Sequence, residues 1–151
     1  MNKVLFSSVH TTWETPQDFF DTLNKEFNFT LDPCCVPETA KCEKYYTPKE
    51  NGLIQDWSGE RVFVNPPYGR EIVTWVKKAH EEAQKGTLIV MLLPVRTSTR
   101  WFHNWIYGYA KIRLIRGRLN FLLNKEDKGN APFPSMLVIF NSTSTCHCGL
   151  Q

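Results

Sequence analysis

The apolar pattern at the start of the chain predicts a helix followed by a strand. Thr15 is expected to cap the helix, with Pro16 at the first helical position and Asp18 as the acid of a capping box. The apolar side chains that follow recur at helical spacing: Phe19, Phe20, Leu23 and Phe27. Residues 27–32 then alternate with period two, which predicts a strand ending at Asp32 and Pro33.

The rest of the chain alternates between strand and helix patterns. Residues 61–65 form a compact strand pattern that stops at Pro66, and residues 72–83 carry the apolar stripe of a helix ended by Gly86. Residues 88–93 are continuously apolar, which is typical of a strand buried on both faces of a parallel sheet. The remaining predicted elements are a short strand at 45–46, a helix at 97–107, and strands at 112–123 and 136–140 joined by the polar segment 124–135.

This order of elements predicts a three-layer α/β domain with a mostly parallel sheet. The last two strands have no helix between them, so we expect them to form an antiparallel hairpin at one edge of the sheet. Residues 1–141 are assigned to the domain. The Ser/Thr-rich residues 142–151 are expected to form a flexible tail.

Composition narrows the class of protein. A chain of 151 residues with 42% hydrophobic and 13% aromatic residues is typical of one globular domain rather than a disordered protein. No apolar run approaches the roughly 20 residues that span a bilayer, and the first residues lack the apolar stretch of a signal peptide. We therefore expect a cytoplasmic protein without a membrane partner.

Charge and cysteine content carry less information. The net charge is only +3, but residues 96–118 contain seven basic side chains, counting His103, and no acid. Such a stretch is compatible with a phosphate-binding face, and equally with a solvated surface.

The five cysteines are odd in number, and Cys146 and Cys148 are separated by one residue rather than the two to four typical of structural zinc sites. Neither a disulfide framework nor a metal site is predicted.

The sequence Asn65-Pro66-Pro67-Tyr68 lies at the end of a predicted strand, where open α/β sheets bind ligands. The prolines have no N–H and favour extended backbone, so the Asn65 side-chain oxygen and the Pro66 carbonyl are available as acceptors. Tyr68 adds a flat aromatic face. Two acceptors and a ring suit a planar group with an exocyclic NH₂, such as a nucleobase, although a rigid strand-to-helix turn also explains the motif.

Asn65-Pro66-Pro67-Tyr68 matches the [Asp/Asn/Ser]-Pro-Pro-[Tyr/Phe/Trp] signature of amino methyltransferases that use S-adenosylmethionine. From about Thr12 to Asn141 the chain resembles the phage-type, Dam-like DNA N6-adenine methyltransferases. The other segments that carry this resemblance are Trp13-Glu14-Thr15-Pro16, residues 28–32, Asp56-Trp57, residues 63–69, Leu93-Pro94 and residues 130–135.

The resemblance implies a Rossmann-like methyltransferase fold and methyl transfer from S-adenosylmethionine to adenine N6 in double-stranded DNA, with the base flipped out of the helix. Asn65 and Pro66 would accept the two N6 protons, Pro67 would keep the turn rigid, and Tyr68 would stack on the base. Arg70, Arg96 and Arg100 would contact phosphates or a guanine edge. The protein would be encoded by a bacterial host or a phage, and a homodimer is compatible with its small size.

For the cofactor, the resemblance implies that Asp32 and Pro33 lie near its methionine or ribose part. It also implies that Thr15 lies near the methionine and that Asn65 lies beside these residues. Asp56 would accept from the cofactor's adenine amino group, with Trp57 packed on the adenine ring. The chain departs from many methyltransferases because it has no glycine before Gly52, and Cys34-Cys35 stands where a glycine-rich turn usually follows the first strand.

Two other readings stay open. Asn-Pro-Pro-Tyr chemistry also serves RNA adenine, cytosine N4 and protein glutamine, because each presents an NH₂ group to the same acceptors. A non-catalytic nucleic-acid-binding protein on the same fold is the third possibility.

Overall fold

Helices and strands follow one another largely in the order that the apolar pattern predicts. The computed structural model describes residues 13–123, 126–127 and 129–141, so the predicted tail at 142–151 lies outside the described residues. The helices are α1 (Gln17–Phe27), α2 (Ile72–Gln84) and α3 (Arg100–Trp105), with a 3₁₀ turn at Gly52–Ile54. The strands are β1 (Leu31–Asp32), β2 (Lys44–Tyr45), β3 (Arg61–Val64), β4 (Leu88–Pro94), β5 (Lys111–Leu114), β6 (Leu122–Leu123), β7 (Glu126–Asp127) and β8 (Ser135–Phe140).

Six of these strands form one sheet in the order β2-β1-β3-β4-β8-β5. The pairs β1–β2, β1–β3 and β3–β4 are parallel, whereas β8 is antiparallel to both β4 and β5. The predicted α/β class, with a mostly parallel sheet and an antiparallel end, is confirmed. Strands β6 and β7 form a separate two-stranded hairpin.

The core lies around β4 and β8. Residues 89–94 of β4 and every residue of β8 are buried. Because successive side chains of a strand point to opposite faces, this continuous burial means that the centre of the sheet is covered on both sides. The six paired residues of β4 and β8 run from Ile89 opposite Phe140 to Pro94 opposite Ser135. This rigid centre fixes the ends of the neighbouring strands.

The predicted start of α1 is wrong in its details. Pro16, not Thr15, is the N-cap residue, and no side chain caps the helix. Thr15 is only 2% exposed, and its hydroxyl accepts a hydrogen bond from the Asn65 side chain instead of a helical N–H. The Asp18 carboxylate accepts from the N–H of Phe19 and does not complete a capping box. Thr15 therefore makes a long-range contact with Asn65 instead of capping α1.

Two predicted strands are shorter than their patterns. Phe27 closes α1 and Asn28 takes a left-handed conformation with φ of 53°, so the first strand is reduced to β1. The predicted strand 112–123 is divided between β5 and β6, because Gly117, with φ of 75°, turns the chain away from the sheet. Both errors come from turns inside an apolar stretch.

A buried carboxylate joins α2 to the segment before β3. Glu82 is 1% exposed, and its oxygens accept from the Trp57 N–H at 3.2 Å, from Lys78 Nζ at 2.6 Å and from Lys85 Nζ at 3.0 Å. Burial by itself raises the pKa of Glu82, but the bonds from Lys78, Lys85 and Trp57 outweigh it, so the pKa lies below its usual 4.5. The ionised form therefore stabilises the fold.

We expect Glu82→Gln to lower the free energy of unfolding at pH 7 by about 3 kcal/mol, because it leaves Lys78 without its counter-ion. Since the folded pKa is lowered, the stability contributed by Glu82 is complete above pH 4.5 and is lost as the pH falls through the folded value. Urea unfolding at pH 7 and at lower pH checks both points. Glu81→Gln, at an exposed neighbour, is the matched control, and an equal loss in both variants would contradict the assignment.

Candidate functional site

A cavity of about 770 Å³ opens at the carboxyl ends of β1 and β3. This volume lies within the range of about 300–1,000 Å³ typical of small-molecule sites. The structure brings Thr15, Asp32, Pro33, Asn65 and Pro67 of the predicted site to its wall. Other lining residues come from the loop after β1, from the 3₁₀ turn and from the core: Cys34, Cys35, Lys41, Gly52, Phe63 and Trp75.

The Asn65 side chain is held in one orientation. Its Nδ2 donates to the carbonyl of Trp13 and to Thr15 Oγ1, the latter at 2.9 Å. A backbone carbonyl can only accept, so the NH₂ group must be the side of the amide that faces Trp13. Asn65 Oδ1 is consequently turned the other way, and this buried oxygen has no hydrogen-bond partner in the described part of the chain. An unpaired acceptor is thus fixed on a residue that lines the cavity.

Tyr68 lies behind the cavity rather than in its lining. Its side chain is 4% exposed, and its hydroxyl donates to the Leu92 carbonyl at 2.9 Å. Its ring meets Phe133 edge-to-face at 5.5 Å and Phe121 at 6.2 Å between centroids. Burial raises the pKa of Tyr68, while the nearby Arg96 opposes the rise. Pro66 is also buried and does not line the cavity.

The loop after β1 is organised by the Asp32 carboxylate. Asp32 is 3% exposed; Oδ1 accepts from the N–H of Cys34 at 3.2 Å and Oδ2 from that of Lys41 at 3.1 Å. Burial raises the pKa of Asp32 to about 7, against the opposing effect of the two N–H groups. One carboxyl group therefore fixes both ends of the loop 34–41. Within this loop, Cys34 and Cys35 line the cavity as small apolar residues that stand in place of a glycine-rich turn.

Gly52 lets the backbone of the 3₁₀ turn come very close to the backbone of Pro33. A Cβ at position 52 would lie 2.0 Å from the Pro33 carbonyl oxygen, so no larger residue fits without movement of the backbone. Trp57 Nε1 donates to the Gly52 carbonyl at 3.0 Å and holds the 3₁₀ turn in place. Gly52 is the first glycine of the chain, but its position in the sequence does not show that it contacts Pro33.

The structure does not bring Asp56 and Trp57 into the cavity. Asp56 is exposed and bonds to Ser58, with Oδ1 3.6 Å from Lys85 Nζ. Trp57 is completely buried and stacks on Trp75 at 6.4 Å between ring centroids. Because Trp75 lines the cavity, Trp57 supports the wall from behind. The direct cofactor contacts expected of Asp56 and Trp57 have no support in these positions.

The predicted nucleic-acid-binding arginines lie at the same edge of the sheet as Asn65. Arg70 follows β3, and Arg96 and Arg100 follow β4; all three are exposed. Since β3 and β4 are parallel, their carboxyl ends meet at one edge. Arg113, from the predicted basic stretch, is bound instead through two nitrogens to the Glu26 carboxylate. It is therefore not a free phosphate ligand.

Sequence analysis did not single out Glu14 or Lys41, which also line the cavity. Glu14 is the middle residue of the Trp13-Glu14-Thr15 motif. The sequence alone does not show that this segment crosses the cavity. Its N–H and carbonyl exchange hydrogen bonds with Leu122 at 2.9 and 3.0 Å. Glu14 Oε2 is buried and has no partner among the described residues.

The described part of the chain shows neither a metal-binding cluster nor a membrane-spanning helix. Residues 13–123, 126–127 and 129–141 contain no group of three or more His, Cys, Asp or Glu side chains suited to a metal ion. In the same ranges, none of the helices combines the length and apolar character needed to cross a bilayer.

Comparison with known proteins gives a consistent result. The family described as DNA N-6-adenine-methyltransferase (Dam) matches residues 3–147. The chain is 32% identical over 133 residues to the DNA N-6-adenine-methyltransferase of Haemophilus phage HP1, covering 85% of this chain and 77% of that protein. It is 36% identical over 114 residues to the DNA N-6-adenine-methyltransferase of Escherichia phage T1, covering 74% of this chain and 48% of that protein. A putative methyltransferase of Escherichia coli K12, YfdM, is 42% identical over 64 residues, which are 37% of this chain and 69% of that protein.

The contact between Gly52 and Pro33 yields a test of how the cavity is built. We expect Gly52→Ala to lower the free energy of unfolding by about 3 kcal/mol, because its Cβ meets a backbone oxygen. Gly59→Ala is the matched control: nothing lies within 4 Å of its Cβ, and it bears only the cost, about 1 kcal/mol, of a left-handed conformation. Urea unfolding measures both, and equal losses would mean that the close approach does not matter.

Proposed function

Because this chain belongs to the DNA N-6-adenine-methyltransferase (Dam) family, an enzyme family, we propose that it methylates adenine N6 in double-stranded DNA with S-adenosylmethionine as methyl donor. The observation that carries the proposal is the fixed, unpaired Oδ1 of Asn65 at the cavity. We further propose that the α/β fold is of the Rossmann-like methyltransferase type. The parallel strands β1–β4 and the antiparallel pairing of β8 support this assignment.

The cavity fits a cofactor of this size and chemistry. S-adenosylmethionine supplies an activated methyl group when bound. The residues that would hold it are Asp32, Pro33 and Thr15, as the resemblance implies, together with Cys34 and Gly52 from the same wall. Two buried acceptors on cavity-lining residues, Asn65 Oδ1 and Glu14 Oε2, lack donors among the described residues, and N–H groups of a bound substrate and cofactor would satisfy them.

Asn65 acts on the target amine. Its Oδ1 would accept a hydrogen bond from one N–H of the adenine N6 group, and the Pro66 carbonyl would accept one from the other N–H. Both bonds orient the nitrogen lone pair and make it more nucleophilic. The anchoring of Nδ2 by Trp13 and Thr15 matters here because it removes the need to reorient the amide when the base binds.

Tyr68 is the proposed stacking surface for a flipped base. The ring is packed against Phe121 and Phe133, so stacking requires one of these two rings to move aside. The hydroxyl bond to Leu92 keeps the Tyr68 ring in place during that exchange. Base flipping costs a few kcal/mol, and the stacking on Tyr68 together with the bonds to Asn65 would offset it.

The edge of the sheet above the cavity supplies positive charge for DNA. Arg70, Arg96 and Arg100 are exposed there. β5 runs in the same direction as β4, because both are antiparallel to β8, so Arg116 and Arg118 follow a strand end at the same edge and are exposed too. These arginines are suited to phosphate contacts, which position the duplex.

The proposal is tested with purified protein, tritium-labelled S-adenosylmethionine and unmethylated duplex DNA, followed by nucleoside analysis. We expect label in N6-methyladenine. Asn65→Ala should lower the turnover number at least about 100-fold, as loss of one preorganised group at a reacting centre does elsewhere, while calorimetry shows nearly unchanged cofactor affinity.

Each other outcome points to a different function. Label in N4-methylcytosine, or label transferred only when RNA or protein is supplied, would replace the proposed substrate. Cofactor binding without transfer to any of these substrates would favour a nucleic-acid-binding protein. Undiminished turnover in Asn65→Ala would remove the role given to that side chain.

The anchoring of Asn65 gives a second prediction. Thr15→Val removes the hydroxyl that holds Nδ2 at 2.9 Å, and we expect it to lower the turnover number about 10-fold. Thr15→Ser keeps the hydroxyl and should retain most of the activity. Single-turnover kinetics with saturating cofactor and DNA separate this effect from binding. A loss as large in Thr15→Ser as in Thr15→Val would indicate a packing role for the methyl group instead.

A further inference from the structure

Two residues of the cavity wall carry buried acceptor oxygens that lack partners in the described part of the chain. One is Asn65 Oδ1, which the proposed reaction uses for the target amine, and the other is Glu14 Oε2. A buried acceptor without a donor costs about 1–3 kcal/mol, and a carboxylate costs more when it carries its charge. The Lys41 ammonium attracts the Glu14 carboxylate electrostatically, but Glu14 Oε2 has no hydrogen-bond donor among the described residues, so a ligand in the cavity could supply that donor.

The backbone of Glu14 is fixed at this place. Its N–H and carbonyl both pair with Leu122, and the next residue, Thr15, holds the Asn65 amide. The carboxylate is therefore presented from a segment that also controls the acceptor for the target amine. A ligand group bound by Glu14 would lie at the same side of the cavity as that amine.

The other carboxylates that line the cavity are already engaged or exposed. Both oxygens of Asp32 accept backbone N–H groups, and Glu38 lies on the exposed part of the loop. Lys41 also lines the cavity; its ammonium donates to Gln17 Oε1 at 2.9 Å, and the charge of Glu14 opposes the lowering of the Lys41 pKa by burial. Of the lining carboxylates, Glu14 is thus the one with a buried oxygen left for a donor on the ligand.

We infer that the Glu14 carboxylate binds the α-ammonium group at the amino-acid end of S-adenosylmethionine, an inference that rests on the proposed function. The ammonium carries both features that Glu14 requires: N–H donors for the unpaired oxygen and a positive charge for the carboxylate. The sulfonium has charge but no N–H group. The adenine amino group has N–H donors but no charge.

Calorimetry with two probes separates these groups. S-adenosylhomocysteine has the α-ammonium but no sulfonium, and 5′-methylthioadenosine has the adenosine part without the amino acid. We expect Glu14→Gln to weaken S-adenosylhomocysteine binding at least about 10-fold, as loss of a charged hydrogen bond does, and to leave 5′-methylthioadenosine binding unchanged. Glu43→Gln is the matched control. It removes the same charge from an exposed position that does not line the cavity and should change neither affinity.

A probe altered in the same group tests the wild-type protein directly. S-adenosylhomocysteine with hydrogen in place of its α-amino group should bind wild-type protein at least about 10-fold more weakly. Glu14→Gln should bind the altered and the unaltered probe equally well. This arm does not depend on the variant, so a folding defect in Glu14→Gln leaves the inference testable.

Several results would overturn the inference. These are equal binding of S-adenosylhomocysteine by wild type and Glu14→Gln, an equal loss for both probes, or a loss for S-adenosylmethionine alone, which would place Glu14 beside the sulfonium. In all three, wild-type binding of the cofactor remains and the proposed function stands. Wild-type protein that binds neither S-adenosylmethionine nor S-adenosylhomocysteine would overturn both proposals together.

Discussion

The site depends on one hydrogen-bonded arrangement, in which the Asn65 amide donates to the Trp13 carbonyl and the Thr15 hydroxyl. A carbonyl cannot donate, so this contact decides which end of the amide faces inward. The side-chain oxygen is left as an acceptor without a competing donor among the described residues. The segment before α1 therefore orients a side chain of the cavity wall, which its position at the start of a helix conceals.

The cavity lies beside a first strand that is followed by no glycine-rich turn. Backbone N–H groups of Cys34 and Lys41 converge on the buried Asp32 carboxylate, which closes the loop with side-chain chemistry. The close approach of backbones is supplied from another segment by Gly52. Two separate parts of the chain thus shape the cavity wall next to β1.

Much of the fold was predictable because the buried strands carry strong local signals. The continuous apolar run of β4 and the helical stripe of α2 correspond to their observed bounds within a few residues. The errors arose where a tertiary contact overrode a local rule. Thr15 has every local feature of an N-cap, yet its hydroxyl is used by Asn65, fifty positions along the chain.

The candidate site was predictable only in part, for the same reason. Asn65, Asp32 and Pro33 follow strand ends, and topology alone brings these residues to one edge. Asp56 and Trp57 precede β3, and nothing local shows that the tryptophan turns into the core to stack on Trp75. Glu14 and Gly52 gain their significance from contacts with Leu122 and Pro33, which no sequence pattern encodes.

The bridge between Glu14 and Leu122 has a consequence for the order in which the protein assembles. It joins the beginning of the described chain to the segment after β5, while the bond from Asn65 to Trp13 spans 52 residues. Contacts of such large sequence separation carry a high loop-closure entropy, so they form after local helices and hairpins. The orientation of the Asn65 amide thus exists only once these distant parts of the chain have come together. A partly folded chain holds the Asn-Pro-Pro-Tyr sequence but not the geometry that gives it chemistry.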